Sequence, residues 1–180
     1  MSILFENEGI PTILHSIFIW TTTDPYNASS GYDALDLLHK YRKSFNGDLG
    51  MLLTFQSYSD VGGLAYVDQL CGSNTSRKIG LSSVSQSYSN FPVYSWNVAT
   101  VTHEFGHLIG SRHTHACVWN GNNTAIDGCE DVEGTCPKPG IPVNGTIMSY
   151  CDPNINFNLG FGIQPGNVIR NKFTYASCLP

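Results

Sequence analysis

The sequence predicts an α/β fold with a mostly parallel sheet in its first part and an irregular, cross-linked second part. Three observations predict it. Short apolar runs flank a helical pattern early in the chain, and strand, helix, strand is a parallel crossover unit. A second helical pattern ends at Gly110, where a residue free to take positive φ is available. From Ser111 to Gly162 regular periodicity disappears, and the segment beyond Gly110 carries five of the six cysteines, at 117, 129, 136, 151 and 178.

The elements follow in order. Ile13, His15, Ile17 and Ile19 alternate with Leu14, Ser16, Phe18 and Trp20, a run apolar on both faces that predicts an interior strand. After the turn-rich Asp24-Pro25 and Ser29-Ser30-Gly31, a helix is expected over Gly31 to Phe45, with Leu35, Leu38, Arg42 and Phe45 at helical spacing. Gly50 to Phe55, Gly63 to Leu70 and Lys78 to Val84 are further strand candidates set off by Gly, Ser and Asn. The second helix is expected from about Tyr94 to Ile109, since Val98, Val101, Thr102, Phe105, Leu108 and Ile109 recur on one side. A last helix, about Pro165 to Tyr175, brings Val168, Ile169, Lys172 and Phe173 into register. No linker or repeat interrupts this pattern, so residues 1–180 are expected to form one domain, with an upper part to about 110 and a lower part from about 111.

Composition narrows the functional classes. A chain of 180 residues that is 41% hydrophobic and 13% charged can bury a core, which excludes a disordered tail. Nine Lys and Arg against 14 Asp and Glu give a net charge of −5 and no basic stripe, so nucleic acid is an unsuitable partner. No apolar run approaches the roughly 20 residues that span a bilayer. The even cysteine count without any C-x₂-C pair favours disulfides over a zinc ribbon, and with them an oxidising compartment. Secretion is therefore expected. The first residues lack the pattern of a signal peptide, so the chain is taken as an excised mature domain, and a monomer is expected.

The chemistry concentrates in His103-Glu104-Phe105-Gly106-His107-Leu108-Ile109-Gly110-Ser111-Arg112-His113. His103 and His107 are four apart on the expected helix, so both imidazoles can reach one ion. A third ligand six residues on would be carried past that ion by a continuing helix; a turn at Gly110 brings His113 back. Three neutral imidazoles leave an open position on Zn²⁺, the arrangement of a catalytic site. Glu104 stands beside that position as general base and acid, taking a proton from a metal-activated water and giving it to the departing amine, which assigns peptide-bond hydrolysis.

HExxHxxGxxH resembles the zinc signature of the metzincin metallopeptidases, and Thr146-Ile147-Met148-Ser149-Tyr150 resembles their Met-turn. The resemblance implies a metzincin-like fold, with an antiparallel edge strand on a twisted sheet, and a methionine, Met148, as apolar floor beneath the three histidines. Gly63-Leu64-Ala65-Tyr66-Val67 with Cys71 is similar to the edge strand and cysteine of the adamalysin or reprolysin group, which implies a Cys71–Cys178 bridge. It also implies that the backbone of Gly63, Leu64 and Ala65 binds a protein or peptide substrate as an added strand. Thr114, where adamalysins carry aspartate, resembles the pappalysins, and the Met-x-Tyr order of Met148 and Tyr150 resembles astacins. Tyr150 is left with two roles, oxyanion donor or wall residue.

With Cys71 given to Cys178, three pairings of the other cysteines remain, of which Cys117–Cys151 and Cys129–Cys136 are expected. Asp127, Glu130, Asp131 and Glu133 form either a Ca²⁺ site or an acidic solvated loop, the loop being favoured. His115 is expected behind the ligands or at the surface, since a fourth histidine would close the site. By the same resemblance, the segment from Cys151 to Gly162 is expected to wall the pocket after the scissile bond, and Phe157, Leu159 and Phe161 would favour a hydrophobic residue there. The leading reading is a secreted zinc endopeptidase. The alternative is a catalytically inactive zinc-containing binding or adhesion module, which would not need Glu104.

Overall fold

The computed structural model describes residues 1–179, all but the last residue of the expected domain. A five-residue helix, α1 (Ser2–Glu6), opens the chain and buries Leu4 and Phe5; it is too short to produce a periodic signal. α2 (Gly31–Tyr41) starts at Ser30, whose hydroxyl oxygen accepts the Asp33 N–H at 3.1 Å and so satisfies one orphan donor of the first turn. Its buried stripe is Ala34, Leu35 and Leu38. It stops four residues short of Phe45 because Arg42 leaves helical geometry, at φ −119° and ψ 69°.

Three strands form the sheet: β1 (Gly50–Thr54), β2 (Gly63–Leu64) and β3 (Ile79–Ser83), in the order β1-β3-β2. β1 pairs with β3 in parallel, from Gly50 opposite Ile79 to Thr54 opposite Ser83. β2 is the antiparallel edge, with Gly63 opposite Ser82 and Leu64 opposite Leu81. α3 (Trp96–Ile109) packs on β3, and α4 (Ile163–Thr174) packs on α3. The chain is thus a mixed α/β fold with a small open sheet, consistent with the metzincin-like arrangement.

Two strand expectations need correction. Ile13 to Trp20 forms no strand: Ile13, Leu14, Ile17 and Ile19 are exposed, and Phe18 lies 4.2 Å from the Arg42 guanidinium. Apolar faces do not make a strand without a neighbouring ladder, and among the described residues this run has none. The edge strand, expected to reach Leu70, ends at Leu64 because the following backbone has another partner. The N–H groups of Asp68, Gln69 and Leu70 donate to His107 and Leu108 carbonyls at 2.9, 2.7 and 3.0 Å, capping the end of α3.

The core is divided. Tyr26, Leu35, Leu38, Tyr58, Ile79 and Leu81 pack between α2 and the sheet. Leu4, Phe5, Ile147, Met148, Phe157, Phe161 and Ile169 pack under α3.

Cys71 bonds Cys178, as the resemblance implied. The expected Cys117–Cys151 and Cys129–Cys136 are replaced by Cys117–Cys136 and Cys129–Cys151. Backbone pairing decides this. Ala116 aligns with Glu133, and the Cys117 N–H donates to the Glu133 carbonyl at 2.9 Å, which carries Cys136 to Cys117. The buried Asp127 carboxylate accepts the Ser149 hydroxyl at 3.0 Å, which brings Cys129 alongside Cys151. Spacing along the chain contains neither contact.

Candidate active site

α3 supplies the first part of the site by helical geometry alone, placing the rings of His103 and His107 4.7 Å apart. At its end Gly110 takes φ 133°, and the Gly110 and Ser111 N–H groups both return to the Gly106 carbonyl, at 3.1 and 2.9 Å. That reversal needs a residue without a Cβ, and it carries His113 back so that its ring lies 4.5 Å from His107 and 5.1 Å from His103.

Each ring is oriented from behind. His103 Nδ1 donates to the Ile147 carbonyl at 2.7 Å, His107 Nδ1 to the Ser111 carbonyl at 2.8 Å, and His113 Nδ1 to Glu133 Oε1 at 2.5 Å. With the hydrogen on Nδ1 in all three, each Nε2 presents a bare lone pair. His107 Nε2 and His113 Nε2 then face one another at 2.9 Å with no proton to share. Two lone pairs at that separation repel unless a cation lies between them. The three ligand atoms of His103, His107 and His113 all fall within 4.8 Å of one another, so the donor set fits a divalent metal. Burial, reinforced by the neighbouring imidazoles, pushes His103 well below its ordinary value and His113 down to about 2. Burial also lowers His107. All three are therefore neutral, as metal ligation requires.

Glu104 is buried next to His103 and lines the same cavity, which has a volume of about 330 Å³. Its Oε2 has no hydrogen-bond partner, and burial pushes its carboxyl up to about 8. β2 approaches it closely: a Cβ on Gly63 would overlap Glu104 Oε1. Of the three expected edge-strand residues, Gly63 lines the cavity and Leu64 and Ala65 do not; Leu64 packs toward the sheet core. Met148 is fully buried beneath α3, and its carbonyl accepts the Thr114 N–H at 3.0 Å, tying the turn after His113 to the Met-turn. Tyr150 lines the cavity with its ring 4.6 Å from that of His113. Burial, then the charges of Glu104 and Glu133, pushes its hydroxyl up to about 12, so it keeps its proton.

The remaining expectations are partly corrected. Phe157 and Phe161 are buried in the core and Leu159 is half-exposed outside the cavity, so none of them walls the pocket. The expected segment reaches the cavity through Asp152 and Ile155, and Asp60, Glu130, Trp96 and Ile147 line it beside them. Among the described residues the four acids do not converge on one cation site: Asp127 bonds Ser149, Asp131 pairs with Lys138, Glu130 faces the cavity, and Glu133 bonds His113 and groups with His113 and His115 instead of with the other acids. His115 is buried with its ring stacked 4.8 Å from His113, behind the ligand and away from the surface. Glu133, one of the four acids of the expected loop, is thus the partner of His113, and nothing in the linear spacing signals a contact with a residue twenty positions earlier.

The family model Reprolysin_5, metallo-peptidase family M12, matches residues 2–158. The chain belongs to metallo-peptidase family M12. The reprolysin resemblance of the sequence is thus correct, and a metal held by the three histidines is what the family and the site together support. No curated protein matches the chain. Among solved structures, a chain from the structure of a chaperone–substrate complex is similar at 17% identity with a TM-score of 0.43. The similarity covers 81% of this chain and 24% of that one.

Proposed function

We propose that this M12 domain is a secreted zinc endopeptidase in which Glu104 is the general base and acid. The observation that carries the proposal is the convergence of three bare imidazole nitrogens, one of them on His103, which lines an open cavity together with the buried Glu104 and its unpartnered Oε2. His103, His107 and His113 would hold zinc, which supplies a Lewis acid for the scissile carbonyl and lowers the pKa of an attacking water. Glu104 accepts that water's proton and delivers it to the leaving amine. Its carboxyl, held up near 8 by burial alone, returns toward the ionised form beside a dication. Tyr150 keeps its hydroxyl hydrogen and lines the same cavity, which supports its reading as an oxyanion donor.

An extended peptide would add as a strand to the edge of β2 at Gly63, a reading supported by β2 being the outer strand and by its close approach to Glu104. Asp60, Glu130 and Asp152 border the cavity, and among its described lining residues none is Lys or Arg, so a basic substrate side chain is favoured there. Three disulfides support an oxidising, extracellular setting, and among the described residues no helix is long and apolar enough to cross a membrane.

The test is hydrolysis of a denatured protein with and without a chelator, repeated with Glu104→Gln. Both the chelator and the substitution should remove cleavage, the substitution by about 10²–10⁴-fold, while Glu104→Gln still binds zinc. Cleavage that persists in Glu104→Gln would discard the mechanism.

A further inference from the structure

The three imidazoles are not oriented alike. His103 and His107 give their Nδ1 hydrogens to neutral backbone carbonyls, whereas His113 gives its hydrogen to a carboxylate. A hydrogen bond to a charged acceptor is roughly twice as strong as one between neutral groups, and it makes the opposite ring nitrogen a better electron donor.

Glu133 is half-exposed, yet its backbone is fixed on both sides. Its N–H donates to the His115 carbonyl at 3.1 Å, its carbonyl accepts the Cys117 N–H at 2.9 Å, and Cys117–Cys136 closes the loop three residues on. The same Oε1 that meets His113 lies 3.4 Å from Nε2 of the buried His115. One carboxylate oxygen therefore meets the edges of two stacked imidazoles, at His113 Nδ1 and His115 Nε2.

We infer that Glu133 is a positioning residue, whose carboxylate fixes the Nδ1–H tautomer of His113 and strengthens its Nε2 as a metal ligand. The inference rests on the three imidazoles being ligands, and it is independent of whether the bound metal hydrolyses peptides.

The experiment measures zinc affinity by competition with a chromophoric chelator, and the visible absorption spectrum after cobalt substitution, for wild type, Glu133→Ala, Glu133→Gln and Asp131→Ala. Glu133→Ala should weaken zinc binding about 10–100-fold and shift the cobalt bands. Glu133→Gln keeps an acceptor oxygen without the charge, so it should recover part of the affinity but not the wild-type spectrum. Asp131→Ala, on the same loop but paired with Lys138, should match wild type. Wild-type affinity and spectrum in both Glu133 variants would overturn the inference, as would an equal loss in Asp131→Ala. Should Glu133→Ala fail to fold, the nearly isosteric Glu133→Gln decides alone: an affinity and spectrum equal to wild type refute the role. A protein that binds metal as described but cleaves nothing refutes the peptidase reading and leaves this one standing.

Discussion

The sheet half and the half after Gly110 reach order by different means. From α2 to β3 the chain is held by packing: Leu35, Leu38, Ile79 and Leu81 close on one another, and Cys71, the one cysteine before Gly110, bonds outside this half. After Gly110 the backbone follows no regular ladder for about fifty residues. It is fixed instead by two local disulfides, by buried polar anchors such as Asp127 to Ser149, and by carbonyls that orient imidazoles. Yet this second half supplies His113, the Met-turn and Glu133, and so most of what sets the site's geometry. Ligand placement to a few tenths of an ångström does not require secondary structure. It requires that each polar group have one partner and that the chain have few alternatives.

The largest effect is expected at the site where α3 meets the second half, from acid in the metal-free protein. Burial lowers the three histidines below 6.5, so between that pH and their folded values the unfolded chain binds more protons, and stability falls as pH drops below about 6.5. Glu104 acts oppositely: raised from 4.5 to about 8, it binds more protons when folded across that range, and its contribution is lost as pH rises toward 8. Three imidazoles outweigh one carboxyl. The net loss on acidification should approach about 1.4 kcal/mol per pH unit for each net proton taken up. Urea midpoints against pH in a chelator, followed by the emission of buried Trp119, whose indole donates to the His113 carbonyl at 2.8 Å, measure it. Bound metal should flatten the slope below 6.5. A metal-free protein with no acid dependence there would sink the claim that the imidazoles are buried and neutral.

A pair of substitutions then tests whether the halves fail differently. Leu81→Ala removes a fully buried side chain from the sheet core and should cost about 2–5 kcal/mol, leaving the zinc affinity of folded molecules unchanged. Cys117→Ser with Cys136→Ser should cost about 2–4 kcal/mol and also weaken zinc, because the freed loop carries Glu133. Denaturation combined with zinc competition separates the two patterns. If Leu81→Ala weakened zinc as much as the cysteine pair does, the halves would be one cooperative unit and the contrast would fail.

The same contrast explains what the sequence could disclose. His103, Glu104, His107, Gly110 and His113 were legible because helix periodicity and one turn place them, and local geometry is written in local spacing. α3 and α4 were found to within two residues for the same reason. Ile13 to Trp20 misled because apolar alternation states what a strand would bury but not what it would pair with. The disulfides crossed because their pairing depends on contacts between residues 116 and 133 and between 127 and 149, which no one-dimensional pattern contains. Glu133 was invisible as a partner of His113 for the same reason: its role arises only after the loop has folded back.

The smallest effect concerns the seam where α3 meets the stapled half. Gly106 sits in mid-helix, where replacement by alanine ordinarily stabilises by about 1 kcal/mol, since glycine loses more backbone entropy on folding. Here a Cβ would stand 2.6 Å from Met148 Sδ and 3.0 Å from the ring of Phe161. Both neighbours are fully buried, so neither can yield without disturbing the core beneath the histidines. Overpacking of this kind costs about 1–3 kcal/mol, which reverses the sign. Gly106→Ala should therefore lower the urea midpoint, and the displaced Met148 should alter the cobalt spectrum, since the neighbouring Ile147 carbonyl orients His103. A second substitution, Met148→Ala in the Gly106→Ala background, should recover part of the lost stability by giving the new methyl group room, so the two changes should be non-additive. If Gly106→Ala instead raised the midpoint, α3 would stand farther from the Met-turn than the close approach at Gly106 requires, and the seam between the halves would be loose.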